Sequence, residues 1–182
     1  EFKATIDDGS QNTVSESNSY KSDLLIPGTH KVAEITGDPD FDLLRISGDN
    51  DSDSTNGTQV TVVAGTNLDI TITNKQKQGS LTGVKHVVNH EGLGTAQASD
   101  FTMKIAGVNN ISANNFAGSE TGTTVNIDPG TYTVSESGPG GYASSFGDNC
   151  VDTDMPSNGS KTCTVTNSDI PAGQTALTIV KK

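Results

Sequence analysis

Two stretches of the chain nearly coincide: PGTHKVAE at residues 27–34 and PGTYTVSE at residues 129–136. An internal repeat constrains the fold more than any other feature, because both copies must satisfy the same backbone. LDITITN at 68–74 returns as KTCTVTN at 161–167, and EFKATI at 1–6 resembles DFTMKI at 100–105. The two halves therefore share a fold, with the boundary in the polar run KQKQGS at 75–80. Within each half, short alternating apolar runs recur about every 8–12 residues between Gly, Pro, Asn and Asp clusters, without a helical period. The pattern predicts an all-β chain of two tandem Greek-key β-sandwiches of immunoglobulin-like type.

The repeat fails at one place. The second half opens with SLTGVKHVVN at 80–89, and nothing comparable stands ahead of EFKATI. A counterpart lies at the other end, where ALTIVKK at 176–182 lines up with SLTGVKH at 80–86. Leu177 matches Leu81, Val180 matches Val84 and Lys181 matches Lys85. The expected organisation is a strand-deficient domain at 1–77 and a complete domain at 78–170. Residues 171–182 then form a linker and a strand that completes a neighbouring domain.

Side chains alternate between the two faces of a strand, so parity assigns inward positions. Lys85 shares parity with Leu81 and Val87, Glu136 with Tyr132 and Val134, and Asn167 with Cys163 and Val165. In the first half Glu34 falls with His30 and Val32, and Asn74 with Leu68, Ile70 and Ile72; in the tail Lys181 falls with Leu177 and Ile179. One such residue could simply be the polar end of a strand. Three residue types recurring at matching positions call for another account, because burying any of them alone costs several kcal/mol. A desolvated lysine is a neutral amine nucleophile. A buried glutamic acid beside it can polarise an asparagine amide and shuttle protons. The product is a Lys–Asn isopeptide bond with release of ammonia, and the reaction needs no cofactor.

These segments resemble the Cna B-type, or SpaA-like prealbumin-fold, domains of microbial surface adhesins and pilins. The likeness rests on LTGVK at 81–85, GTYTVSESGPGGY at 130–142 and TVTN at 164–167. It covers 79–170 well and 1–77 more loosely, since GDPDF follows near Glu34 where the family has P-x-GY. The resemblance implies an autocatalytic isopeptide bond between Lys85 and Asn167 assisted by Glu136. It also implies a role as mechanical spacer or binding module. In the first half Glu34 and Asn74 lack a matching lysine, and Lys181 supplies one. Entering a neighbour's deficient domain as an added strand, the tail would build an open head-to-tail filament. Linking Lys181 to Asn74 with help from Glu34 would make that filament covalent. The neighbours are either identical subunits or adjacent repeats of one long array.

Composition fits such a scaffold. Only 31% of residues are hydrophobic and 4% aromatic, with no Trp, so the core is thin and cross-links are expected to support it. Cys150 and Cys163 lie in one hairpin and are expected to form a disulfide, which places the chain in an oxidising, extracellular setting. The alternative is two free buried thiols. The net charge of −11 argues against nucleic acid as a partner, and no run approaches the roughly 18 apolar residues of a direct membrane span.

Asn56, Asn110 and Asn158 head glycosylation sequons in loops. Asp49, Asp51 and Asp53 have calcium-loop spacing, but Ser54 stands where an EF-hand needs glycine and no glutamate follows at the last ligand position. A solvated acidic loop accounts for them better than a metal site. No Ser/His/Asp constellation or phosphate-cradling loop is present, so a turnover enzyme is not expected. Two classes remain: an extracellular filament or stalk component, and an adhesin that binds a host protein or glycan through its loops. Scarce aromatic residues favour the spacer, because binding hot spots lean on Trp and Tyr.

Overall fold

The computed structural model describes residues 2–7, 9–15, 19–35, 38–48, 58–90 and 94–171. The chain divides into two compact units, Glu1–Gln76 and Lys77–Lys182. Both are built of strands, and a 3-10 turn at Ala98–Asp100 is the sole helical element among the described residues.

In the first unit the strands are β1 (Phe2–Ile6), β2 (Asn12–Val14), β3 (Gly28–Ile35), β4 (Phe41–Ser47), β5 (Thr58–Val62) and β6 (Thr71–Gln76). One antiparallel sheet runs β2-β1-β3-β5, and β4 pairs with β6 in a second, two-stranded sheet. The β4–β6 register shifts between Leu43 and Arg45. The buried core is small: Val32, Ile46 and Val60, with Ile6, Leu43, Leu68, Ile70 and Ile72 half-buried against them.

The second unit contains β7 (Gly79–Val88), β8 (Thr102–Ala106), β9 (Asn115–Ala117), β10 (Thr123–Ile127), β11 (Gly130–Ser137), β12 (Tyr142–Phe146), β13 (Thr153–Met155) and β14 (Ser160–Asp169). Its two four-stranded sheets run β10-β7-β14-β12 and β13-β11-β8-β9. Their inner faces meet in one core that includes Leu81, Val125 and Val165 from one sheet and Met103, Ile105, Tyr132, Val134 and Met155 from the other. Alternation is strict where the sheets face each other. In β7 every second residue from Gly79 to Lys85 is buried, and in β14 Cys163, Val165, Asn167 and Asp169 are buried. The pairing that places the site is between β7 and β14, which run parallel along Ser80–Val88 and Ser160–Ser168. A parallel pair cannot be joined by a tight turn; here all the intervening strands of the unit form the connection.

Matched by sequence, β1, β2, β3, β5 correspond to β8, β9, β11, β13, and β4 and β6 to β12 and β14. The sheet orders agree on that matching. Counterparts of β7 and β10 do not occur among the described residues of the first unit. The segment ahead of β3 that carries Leu24 and Ile26 is not a strand, and those two side chains are 104% and 82% exposed.

Candidate functional site: a buried lysine between the first and last strands

Lys85 stands opposite Val165 across the parallel β7–β14 pair, and Asn167 lies two residues further along β14 on the same face. This diagonal offset suits a long side chain reaching along the neighbouring strand. The Lys85 side chain is fully buried, at 0% exposure. Its Nζ donates to the carbonyls of Val165 at 3.3 Å and His86 at 3.4 Å, and lies 4.5 Å from the centre of the Phe101 ring. Burial pushes the amine below the ordinary lysine range, partly opposed by the negative charges of Glu136 and Glu120.

Glu136 reaches the same place from the opposite sheet, where it faces Met103 across the β8–β11 pair. Asn167, 2% exposed, donates through Nδ2 to Glu136 Oε1 at 3.3 Å. The other two acceptors, Glu136 Oε2 and Asn167 Oδ1, are buried without a hydrogen-bond partner among the described residues. Buried polar atoms left in that state are rare and costly. The site therefore holds an amine, a carboxyl group and a primary amide in low-dielectric surroundings, with hydrogen-bonding capacity unspent.

Several residues that shape the site escaped the sequence reading. Phe101 forms its aromatic floor and packs edge-on against Tyr142, centroids 5.5 Å apart at 87°. The recurrence of Phe in EF and DF at the head of the two repeats was the available signal. Gly118 lies against the lysine stem, where an added Cβ would stand 2.7 Å from Lys85 Cγ. At the end of β14, Asp169 accepts from the amides of His90 and Gly94 at 2.8 and 2.9 Å and contacts His90 Nδ1 at 2.5 Å. Tyr142 donates its hydroxyl to Asn89 and accepts the Ala96 amide. Together these bonds strap the segment after β7 to the end of the strand that carries Asn167.

The first unit repeats much of this arrangement. Asn74 Nδ2 donates to Glu34 Oε1 at 2.6 Å, both on half-buried side chains. Phe2 packs edge-on against Phe41 with centroids 5.2 Å apart at 87°, the same geometry as Phe101 and Tyr142. Lys3 on β1 is exposed. Lys181 lies outside the described residues, as do Asn56, Asp49, Asp51 and Asp53.

Cys150 and Cys163 form a disulfide, and both are fully buried. The sequon residues Asn110 and Asn158 are exposed, Asn158 in a turn, and the Asn110 amide donates to Asp128 at 2.6 Å. Each histidine pairs with a carboxylate: His30 with Asp7, His86 with Glu120 and His90 with Asp169. Among the described residues no cluster of His, Cys, Asp or Glu is arranged to hold a metal ion, and no helix is long and apolar enough to cross a membrane.

A two-sheet sandwich closed by a parallel pairing of its first and last strands defines a class of domain, and the family comparison agrees. The model of the SpaA-type prealbumin-like fold domain matches residues 76–179, and the chain belongs to this family. No curated protein sequence matches the chain. Solved structures similar to it include the T3.2 major pilin of Streptococcus pyogenes serotype GAS13637. That structure is 18% identical over 81% of this chain and 70% of the pilin, with a TM-score of 0.32. Another major pilin structure from Streptococcus pyogenes is 14% identical over 92% of this chain and 90% of that one, with a TM-score of 0.35.

Proposed function

We propose that the protein is a structural component of an extracellular filament or stalk, held together by Lys–Asn isopeptide bonds and by strand exchange between neighbouring copies. The observation that carries this reading is the environment of Lys85: fully buried and hydrogen-bonded to two backbone carbonyls, beside an Asn167–Glu136 pair with two acceptors that lack a partner among the described residues. A buried, unpaired ammonium costs several kcal/mol. Condensation removes that cost permanently, because it replaces the charge with a neutral amide.

In this chemistry the neutral Nζ of Lys85 attacks Cγ of Asn167. A C–N bond forms, the Cγ–Nδ2 bond breaks, and ammonia leaves. Glu136, already hydrogen-bonded to Nδ2, carries a proton from the attacking amine to the departing one. Atoms and charges balance without oxidant, metal or cofactor, and the reaction occurs once per site. The bond ties the first strand of the unit to the last, so tension applied at the two ends is borne by a covalent path.

The first unit supports the filament part of the reading. Glu34, Asn74, Phe2 and Phe41 repeat the second unit's arrangement around a position where a lysine would stand. Residues 176–182 carry the sequence pattern of β7, with Lys181 in the place of Lys85. Seated beside β6 of a neighbour, that strand would bring Lys181 to Asn74 and Glu34. The similarity to Streptococcus pyogenes proteins described as major pilins accords with such a role.

Peptide mass spectrometry of the purified chain tests both parts. A Lys85–Asn167 cross-linked peptide, with one ammonia lost per linkage, is expected. So is a ladder of multimers on denaturing gels, containing a Lys181–Asn74 peptide. Monomer at the plain sequence mass, less only the disulfide hydrogens, would sink the reading.

A further inference from the structure

We propose that the first unit is a strand socket selective for residues 176–182 of a neighbouring copy, and that Ile179 is the residue it selects. This rests on the strand-donation reading above and adds to it the feature that sets specificity.

The register comes from the second unit. There β7 lies parallel to β14 with Gly83 opposite Cys163 and Lys85 opposite Val165. Transferred to β6 through the repeat, the same register sets Ile179 opposite Ile70 and Lys181 opposite Ile72, with Asn74 diagonal to the lysine. The one large difference between the two strands, SLTGVKH and ALTIVKK, is glycine against isoleucine at this inward-facing position.

In the second unit the glycine is closely covered. A Cβ on Gly83 would lie 2.8 Å from the Phe116 ring and 3.4 Å from Met103 Cε. Those two side chains occupy the space above the glycine. Strand pairing identifies their counterparts without ambiguity. Met103 faces Glu136 on one side and Phe116 on the other. Ala4 faces Glu34 on one side and Asn12 on the other. A methionine and a phenylalanine are thus replaced by an alanine and an asparagine, and Asn12 directs its amide to the Ser10 carbonyl. Volume lost from the sheet is returned on the strand. A glycine strand would leave a hole in the first unit, and an isoleucine strand would collide with Phe116 in the second.

A second, independent observation favours a strand seated beside β6. With a connection one residue shorter, LLIPG at 24–28 aligns with VNIDPG at 125–130, so Leu24 and Ile26 match Val125 and Ile127. The latter pair are 3% and 0% exposed in β10, which pairs with β7. Leu24 and Ile26 are 104% and 82% exposed, outside any strand. An incoming strand supplies the edge that this segment lacks, and the segment then closes over it as a flanking strand.

The test uses the full chain and reads the yield of the Lys181–Asn74 cross-linked peptide, with the Lys85–Asn167 peptide as internal control for folding. Ile179→Gly is expected to lower the Lys181–Asn74 yield roughly tenfold or more, with the Lys85–Asn167 yield unchanged. Adding Ala4→Met and Asn12→Phe to Ile179→Gly restores it, and the same two changes opposite native Ile179 lower it. Assembly is also expected to slow amide exchange at Leu24 and Ile26. Equal yields from all these variants, with cross-linking intact in the unaltered chain, would overturn the selection by Ile179 and leave strand donation standing. Absence of the Lys181–Asn74 peptide from the unaltered chain would remove strand donation itself, and this inference with it.

Discussion

Asn74 donates to Glu34 at 2.6 Å in the first unit, and Asn167 donates to Glu136 at 3.3 Å in the second. The two pairs sit on matching strands, yet Asn167 is buried and Asn74 is half-buried. The difference follows from topology. In the second unit β7 covers the edge of β14, whereas β6 pairs only with β4 among the described residues.

Replacing Glu136 with Gln keeps the shape of the site and removes the carboxylate proposed to carry the proton. The Lys85–Asn167 cross-link should be absent from E136Q, whose intact mass should retain the ammonia that this linkage would release. The proposed bond would close a loop of about 80 residues, so a chain unable to form it should be less stable in the second unit by roughly 4 kcal/mol, by the entropy argument used for disulfides. Chemical denaturation of E136Q beside the unaltered chain measures this.

Cys150 and Cys163 are separated by 13 residues in sequence and are fully buried. The disulfide should resist reductants in native buffer and open only when denaturant is added. Once reduced, the second unit should be less stable by about 3 kcal/mol. Thiol labelling with and without denaturant is the check.

The His30–Asp7 pair gives the first unit a defined pH window. Hydrogen bonding to Asp7 raises the His30 pKa above its usual 6.5, and hydrogen bonding to His30 lowers that of Asp7 below 3.8. The His30 contribution is therefore complete below pH 6.5 and fades as pH rises through the elevated value. The Asp7 contribution is complete above pH 3.8 and fades as pH falls through the depressed value. His30→Ala should flatten the alkaline side of the profile, followed by NMR of the imidazole and by thermal unfolding across pH.

Gly118 is held close by Ala98 and by the stem of Lys85, which an added Cβ would approach to 2.7 Å. Gly118→Ala should destabilise the second unit by about 1–3 kcal/mol, as overpacking does. It should also displace Lys85 and reduce the cross-linked fraction. Intact-mass analysis of freshly refolded G118A reports that fraction directly.

Much of this was legible in the chain before any coordinates. Period-two alternation in LTGVKHV and TCTVTN turns Lys85 and Asn167 inward, because a strand leaves no other choice once Leu81 and Val165 are committed to the core. The pairing of Cys150 with Cys163 could be expected from one short hairpin. Residues such as Phe101, Gly118 and Asp169 were not legible as parts of the site. Each acts on a partner far along the chain, and no local period encodes that.

Sequence by itself determined the all-β class, the internal repeat and the inward face of strands such as β7, β11 and β14, since these follow from side-chain period and turn residues. Tertiary structure alone decided that β7 runs parallel to β14 with Lys85 opposite Val165, that the Lys85 amine lies over the Phe101 ring, and that Ala4 and Asn12 stand where Met103 and Phe116 stand in the second unit. Such contacts depend on register between segments up to 80 residues apart. Register is fixed by the packing of both sheets together, which no single strand contains.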